Sequence, residues 1–464
     1  MSRFKRDYRI VGKVILKAKL KNITPLLIGS GMGESVDISV IRFPTDGRPY
    51  IPASSFSGAL KRFLTQNNAQ SGIPVAYIWG DNGTNSTYQS HLRIDDLIPQ
   101  EFTPSDLNVR DGVKIDAVNG VVENGKKYDY EIVEPGLVFP FSAELTIRQA
   151  IKVTESDIKQ FVHLIKQALC NPNFRVGAFT NTGFGKIECI DFIAYFFDFS
   201  QNKENVDAWF EFIEKDSISI PELDLSELES KGDQDSLEAG LFKVDALFEI
   251  KSSLLVGAYS DDPDSADKTQ IKSRDRFVLP GKSIRGAIRH RALRILKMWD
   301  SEHADEKLIS LFGFVDEGKH VQQRGRLRVE EHILDANSVI LQTQDRIRID
   351  RFTGSVIEGA LFNSEPIWSK GNPCIRIELT VTQGATPEDK MLLMQILKDL
   401  WTEDLAVGGE KNIGRGVLRG HDAKIYNDGE LLAHLVRKDS NGITFIKGSA
   451  SVLNNLVLNE YNRA

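Results

Sequence analysis

Two groups of side chains in this sequence could do chemistry. The first is a pair of carboxylates, Glu34 and Asp37, placed just after the run Gly29-Ser30-Gly31-Met32-Gly33. A lone loop carboxylate holds a divalent cation weakly, and Mg²⁺ in that setting prefers water and phosphate partners. Such a carboxylate could instead position a hydroxyl for in-line attack. The second group is cationic: Lys282, Arg285, Arg289, Arg291, Arg294 and Lys297, with His290 and no acid between Gly281 and Met298. A stretch of this kind is either a solvated helix face or a surface for phosphates. The glycine run lacks the Gly-Lys-Ser/Thr end of a phosphate loop and the spacing of a dinucleotide fingerprint, so a nucleotide cradle is excluded. The eight histidines show no paired ligand spacing, and Cys170, Cys189 and Cys374 form no C-x-x-C pair. Neither a structural zinc nor a disulfide framework is expected, and a cytoplasmic location is the default.

The 464 residues carry a formal charge of −7, which on its face argues against a nucleic-acid partner. Its distribution reverses that reading. Residues 204–238 hold twelve acidic residues against two lysines, a net of −10, so the remainder of the chain stands at +3. The composition is that of a globular protein, 41% hydrophobic, and no apolar run is long enough for a membrane span.

The elements that position these residues are set by an internal repeat. Leu26-Leu27-Ile28-Gly29 returns as Leu254-Leu255-Val256-Gly257, and the segment from Tyr50 to Lys61 returns as Val278 to Arg289. Ile78-Trp79-Gly80 matches Leu311-Phe312-Gly313, and Leu92-Arg93-Ile94-Asp95-Asp96 matches Leu327-Arg328-Val329-Glu330-Glu331. Ile115-Asp116 with Gly120 and Gly125 matches Ile349-Asp350 with Gly354 and Gly359. Val176-Gly177 and Gly183-Phe184-Gly185 match Val407-Gly408 and Gly414-Arg415-Gly416. Six collinear pairs at an offset near 230 residues mean two copies of one domain. We assign residues 1–200 to the first copy, 201–240 to an acidic linker dispensable for either fold, and 241–464 to the second copy with a C-terminal extension. Phe210, Phe212 and Ile213 are the apolar exceptions in that linker.

Each copy reads as a period-2 strand, a polar loop, a helix opened by a Pro-x-Ser segment with Ser54 or Ser283 as cap, further strands, a second helix, and a glycine-punctuated loop before a last strand. The alternation predicts an α+β fold with a ferredoxin-like core in each copy.

The order of these motifs resembles the RAMP superfamily of CRISPR-associated proteins, and most of all the backbone subunit of type III effector complexes. Two copies in one chain resemble the fused backbone subunits of type III-D. The resemblance implies two tandem RAMP domains, RRM-like cores with an inserted hairpin and loops. It implies guide RNA (crRNA), complementary single-stranded target RNA and other CRISPR effector subunits as partners, and no membrane. Ser54, Ser55, Lys61 and Arg62, and Lys282, Ser283, Arg285 and Arg289, fall where the family binds guide phosphates. Gly177, Gly183 and Gly185, and Gly408, Gly414 and Gly416, fall on the loop that lies along the guide. The Ile-Asp-x-x-x-Gly hairpins correspond to a thumb that wedges between guide and target.

The resemblance also implies that a single loop aspartate is required to cut the target, with Mg²⁺ or another divalent cation shared with the RNA. In the first copy this is Asp37, followed by Val40 and Arg42. In the second, an ungapped comparison sets Ser265 opposite Asp37, whereas a longer loop and shorter turn set Asp267 there. Asp267 is preferred because Ile271-Lys272 mimics Ile41-Arg42; Asp261, Asp262 and Asp264 are rivals. The resulting expectation is a metal-dependent target-RNA endoribonuclease acting within a complex. The alternatives are a non-catalytic guide-binding scaffold, and a metal-independent guide-processing ribonuclease using His91 or His290.

Overall fold

In a computed structural model of the chain, the structure describes residues 9–449 and 451 apart from 32–35, 68–71, 84–85, 117–120, 150–151, 201–202, 216–218, 230–240, 259–265, 317–320 and 439–441. Apart from short strands, single helical turns and a helix before the second strand of each sheet (Val75–Trp79 and Ala304–Phe312), the first copy runs β1 (Ile10–Asn22), α1 (Ala53–Gln66), β2 (Leu92–Ile94), β3 (Leu107–Ile115), β4 (Val122–Val133), β5 (Val138–Arg148), α2 (Glu155–Cys170) and β6 (Ile187–Asp198). The helix α3 (Lys203–Lys215) follows. The second copy repeats the order as β7 (Phe242–Ile250), α4 (Gly281–Trp299), β8 (Leu327–Val329), β9 (Gln344–Ile349), β10 (Val356–Ser364), β11 (Ile375–Val381), α5 (Pro387–Trp401) and β12 (Leu418–Asn427). It then adds β13 (Glu430–Arg437) and β14 (Ile443–Lys447).

The local reasons are visible in sequence. Alternate residues of β7, from Phe242 to Ile250, are buried, as a strand with one apolar face requires. α2 and α5 open on Thr-x-x-Asp capping boxes, Thr154 with Asp157 and Thr386 with Asp389, which satisfy two otherwise orphaned N–H groups. α1 and α4 differ from expectation. Pro52 and Pro280 hold their N-cap positions, and neither N-cap residue supplies a side-chain cap. Ser54 and Ser283 lie inside the first turn.

The sheet orders are β2-β5-β1-β6 and β8-β11-β7-β12-β13-β14, with antiparallel neighbours throughout. With one helix after the first strand and one before the last, the first four positions of each form the ferredoxin-like pattern. In the first copy, Val14, Leu16 and Leu20 pack under Phe56 and Leu60 of α1 and Phe161 and Ile165 of α2.

The other face of the first sheet changes the reading of the acidic stretch. Ala208, Trp209 and Phe212 of α3 cluster with Ile15 and Phe197, and Lys13 and Lys17 lie over the Trp209 and Phe212 rings at 4.3 and 4.9 Å. Leu223 and Leu225 join the main core. Residues 203–229 therefore include packed structure of the first copy. The acidic composition masks an apolar helical stripe, while Phe210 and Ile213 face solvent.

The copies meet through a dense junction. Arg110 of β3 makes a bidentate pair with Glu331, at 2.6 and 3.1 Å, with 1% and 2% of the side chains exposed. Arg175 pairs with Glu330 at 2.7 Å, and Arg274 with Asp106 at 2.6 Å. Ser273 donates to Glu134. The glycine-rich loop of the first copy seats on the start of α4. A Cβ on Gly183 would lie 2.3 Å from the Glu331 nitrogen, and one on Gly281 would lie 2.4 Å from the Thr182 oxygen. Only glycine permits that approach.

Candidate functional site

The helix starts are not open anion seats. The Ala53 N–H of α1 donates to Asp96 at 2.7 Å, so a carboxylate already occupies the position the helix dipole favours for an anion. The start of α4 is covered by the first copy's loop. The cations of α4 also divide. Lys282 Nζ lies 4.3, 4.5 and 4.3 Å from the Tyr128, Tyr130 and Phe179 rings and has no hydrogen-bond partner among the described residues. Burial pushes its ammonium down to about 8. Arg285 donates to the Leu327 and Phe312 carbonyls, and burial pushes it down to about 10. Arg291 is paired with Asp399 at 2.6 Å. Lys282 and Arg285 are thus spent on the interior and the junction.

A second group of cations, partly ion-paired, gathers elsewhere. A cleft of about 760 Å³ at the junction brings Ser55, Arg62 and Gly177 of the first copy together with Arg175 and, from the second copy, Arg324, Arg326 and Arg328. Burial and then Arg62 hold Arg324 below its ordinary range; burial and then Arg175 bring Arg328 to about 9. Arg324 bonds Thr180, Arg326 pairs with Asp389, and Arg328 donates to Asn173. The Nε groups of Arg175 and Arg328 are buried without a partner among the described residues. Five guanidinium groups against the two carboxylates Glu330 and Asp389 leave the cleft with excess positive charge, which makes it attractive to a phosphodiester. Ser54 and Lys61 lie exposed on the same helix.

The second copy has a counterpart. Its glycine-rich loop brings Lys411 beside the middle of α4, so that burial, then Lys411, Arg289 and Arg294, push His290 down. Burial and Arg294 likewise lower Lys411, and burial lowers Arg289. Ser283 stays at the covered start of the helix. The six loop glycines, Gly177, Gly183, Gly185, Gly408, Gly414 and Gly416, all have positive φ. His91 is a structural residue: it stacks on Tyr77 at 3.8 Å and faces its carbonyl.

The loop aspartates show the closest correspondence between the copies. The Asp37 N–H donates to Asp129 Oδ1 at 2.8 Å, and the Asp129 N–H donates to Asp37 Oδ2 at 2.9 Å. In the second copy the Asp267 N–H donates to Asn363 Oδ1 at 2.7 Å, and the Asn363 N–H to Asp267 Oδ2 at 2.9 Å. The next residues make parallel bridges, Ile38 to Tyr130 and Lys268 to Ser364. Asp267, not Ser265, thus stands opposite Asp37; Glu34, Asp261, Asp262, Asp264 and Ser265 lie outside the described residues. Both aspartates are exposed.

Each is tied to the base of a hairpin, β3–β4 or β9–β10, whose outer parts bear exposed apolar side chains. Val113, Ile115 and Val122 lie on the first, and Ile347, Ile349 and a fully exposed Phe352 on the second. Arg42 reinforces the first tie through Glu131 at 2.6 Å. Among the described residues no group of three or more His, Cys, Asp or Glu could hold a metal ion.

The sequence model of the RAMP superfamily matches residues 19–188 and 247–419. The chain belongs to this superfamily, twice over, and membership makes it a CRISPR-associated RNA-binding protein. No curated protein matches it. No helix among the described residues is long and apolar enough to cross a membrane.

Proposed function

We propose that the chain is a guide-RNA-binding backbone subunit of a type III CRISPR effector complex, of the fused type III-D kind, and that it cuts target RNA paired to the guide. The observation that carries cleavage is the identical reciprocal tie of Asp37 and Asp267 to the two hairpin bases. The hairpin side of the pair is a carboxylate in one copy and an amide in the other, Asp129 and Asn363, whereas the loop side is an aspartate in both.

Guide phosphates run past the arginine cleft of the first copy and the Arg289–Arg294–Lys411 patch of the second. The apolar hairpin tips part the stack between guide and target, which leaves one target nucleotide splayed and its phosphodiester strained. Asp37 or Asp267 then faces that linkage from the hairpin base and orients its 2′-hydroxyl. The donor set, Asp37 with Asp129 or Asp267 with the Asn363 amide, suits a hard cation that keeps water and phosphate ligands. When bound, such a cation would neutralise charge developing on the phosphate.

The test uses Asp37→Asn and Asp267→Asn, which keep the hydrogen-bond geometry and remove the charge. Each should abolish one cut in an end-labelled target RNA and leave the other, while target binding persists; EDTA should stop both. Unchanged cut positions in the double variant would leave the scaffold reading.

A further inference from the structure

We propose that Cys170 and Cys189 form a dithiol site at the stem of the first copy's glycine-rich loop, and that a low-molecular-weight disulfide oxidises them to an intrachain disulfide that clamps this loop.

The cysteines share no spacing that pairs them in sequence, yet the fold brings two of them together. Cys170 is the last residue of α2 and is exposed. Cys189 is the third residue of β6, the strand that leaves the loop. It is half-buried against the core that holds Ala168 and Leu169 of α2. The Cys189 S–H donates to the Cys170 sulfur. That bond, then burial, holds the Cys189 thiol above its ordinary range, while Lys166 pulls the other way. Cys374 is buried in the core of the second copy.

The repeat gives an independent measure of the approach. Six residues before Val176 and Val407 stand Cys170 and Trp401, each the last residue of its helix. Four residues after Gly185 and Gly416 stand Cys189 and Gly420. In the second copy these two positions touch: a Cβ on Gly420 would lie 2.2 Å from Trp401 Cδ2 and 2.7 Å from its Cγ. That Cγ is one bond from the Trp401 Cβ, so the two Cβ positions face each other within about 4.2 Å, inside the range a disulfide spans. There a ring lies against a glycine. In the first copy the same approach holds two sulfurs.

The exposed sulfur is the one a reagent meets first. Cys170, as thiolate, attacks one sulfur of a disulfide RSSR; the S–S bond breaks and RS⁻ leaves, taking up a proton equivalent to the one Cys170 gave to solvent. Cys189 then loses its proton, and its sulfur attacks the Cys170 sulfur of the mixed disulfide. The second RS⁻ leaves and is protonated in turn. Two protein thiols are oxidised and one RSSR is reduced to two RSH. In a reducing compartment the pair rests as two thiols.

Residues 171–188 lie between the two sulfurs. They include Asn173 and Arg175, which bond Arg328 and Glu330, Phe179 of the ring cage around Lys282, and Gly183 against Glu331. The stem is already bridged once, between Arg175 and Lys186. A covalent link outside that bridge closes the loop without pulling on the contacts at its tip, and it restricts the unfolded first copy.

The test treats the full reduced chain with glutathione disulfide. Thiols that react after denaturation should fall from three per chain to one, and a non-reducing digest should join the Cys170 and Cys189 peptides with the loss of two hydrogens. Cys189→Ser should trap glutathione on Cys170, whereas Cys170→Ser should leave Cys189 unmodified. The first thermal transition of the oxidised chain should rise by at least a few degrees and return on reduction. Three thiols after oxidation, glutathione retained on Cys170 of the wild type, or a Cys170 link between two chains overturns the site. Glutathione on Cys189 in Cys170→Ser overturns the order of attack, and an unchanged transition in the disulfide form overturns the clamp.

Discussion

Lys282 is the residue whose chemistry departs most from its sequence context. Among six cations on one helix, it reads as part of a phosphate surface. In the fold it is an ammonium between three ring faces, with its charge opposed by burial. Its folded pKa of about 8 lies below the ordinary 10.5, so between those values the unfolded chain holds a proton that the folded chain has released. Stability must then rise with pH across that window, by up to about 3 kcal/mol. Lys282→Met, which keeps the stem and removes the charge, should flatten this rise and change stability at neutral pH by less than about 1 kcal/mol in the destabilising direction, or raise it. Denaturant unfolding from pH 7 to 10.5 checks both. A stability that falls through this range would mean the rings outweigh burial. No local signal announces the cage, because Tyr128, Tyr130 and Phe179 come from a strand and a loop more than a hundred residues away. Asp37 is singled out through the family resemblance and not by its loop alone, and its tie to Asp129 was out of reach, since the partner lies on a separate hairpin.

At the scale of elements, the repeat made most of the architecture readable. Matched strands, two helices and a glycine loop recur at nearly constant offset, and periodicity within each piece gives its type. The acidic segment was misread because composition outweighed pattern: Trp209 and Phe212, three residues apart, meet the sheet through one face of α3. Trp209→Ala should destabilise the first copy by about 2 kcal/mol, seen as a lower first thermal transition. Replacing 203–225 with a Gly/Ser spacer should expose the Ile15–Phe197 face and reduce soluble yield. The arginine cleft was half legible. The run Arg324-Gly325-Arg326-Leu327-Arg328 stands in the sequence, but only the fold brings it against Ser55, Arg62 and Gly177.

For the whole molecule, the net charge of −7 is a poor guide, because it hides a local cluster of guanidinium groups at the junction cleft. Guide binding through the cleft and the second-copy patch should weaken steeply with salt. Arg62→Ala and Lys411→Ala should each reduce the slope of log K against log salt by about 0.7, the value for one lost single-strand phosphate contact. Equal slopes for wild type and both variants would move the guide path elsewhere.

The buried Arg110–Glu331 pair and the glycine contacts around it have a metrical consequence. They hold the two halves at one separation, so the distance from Asp37 to Asp267 belongs to the fold and not to the tether. The chain is then a caliper whose jaws are the two loop aspartates. On the proposed function, in which each aspartate directs one cut, the interval between the two cuts would be the same for every target sequence. Lengthening the chain between residues 230 and 240 would leave that interval untouched, whereas Glu331→Gln, which loosens the hinge of the instrument, would blur it.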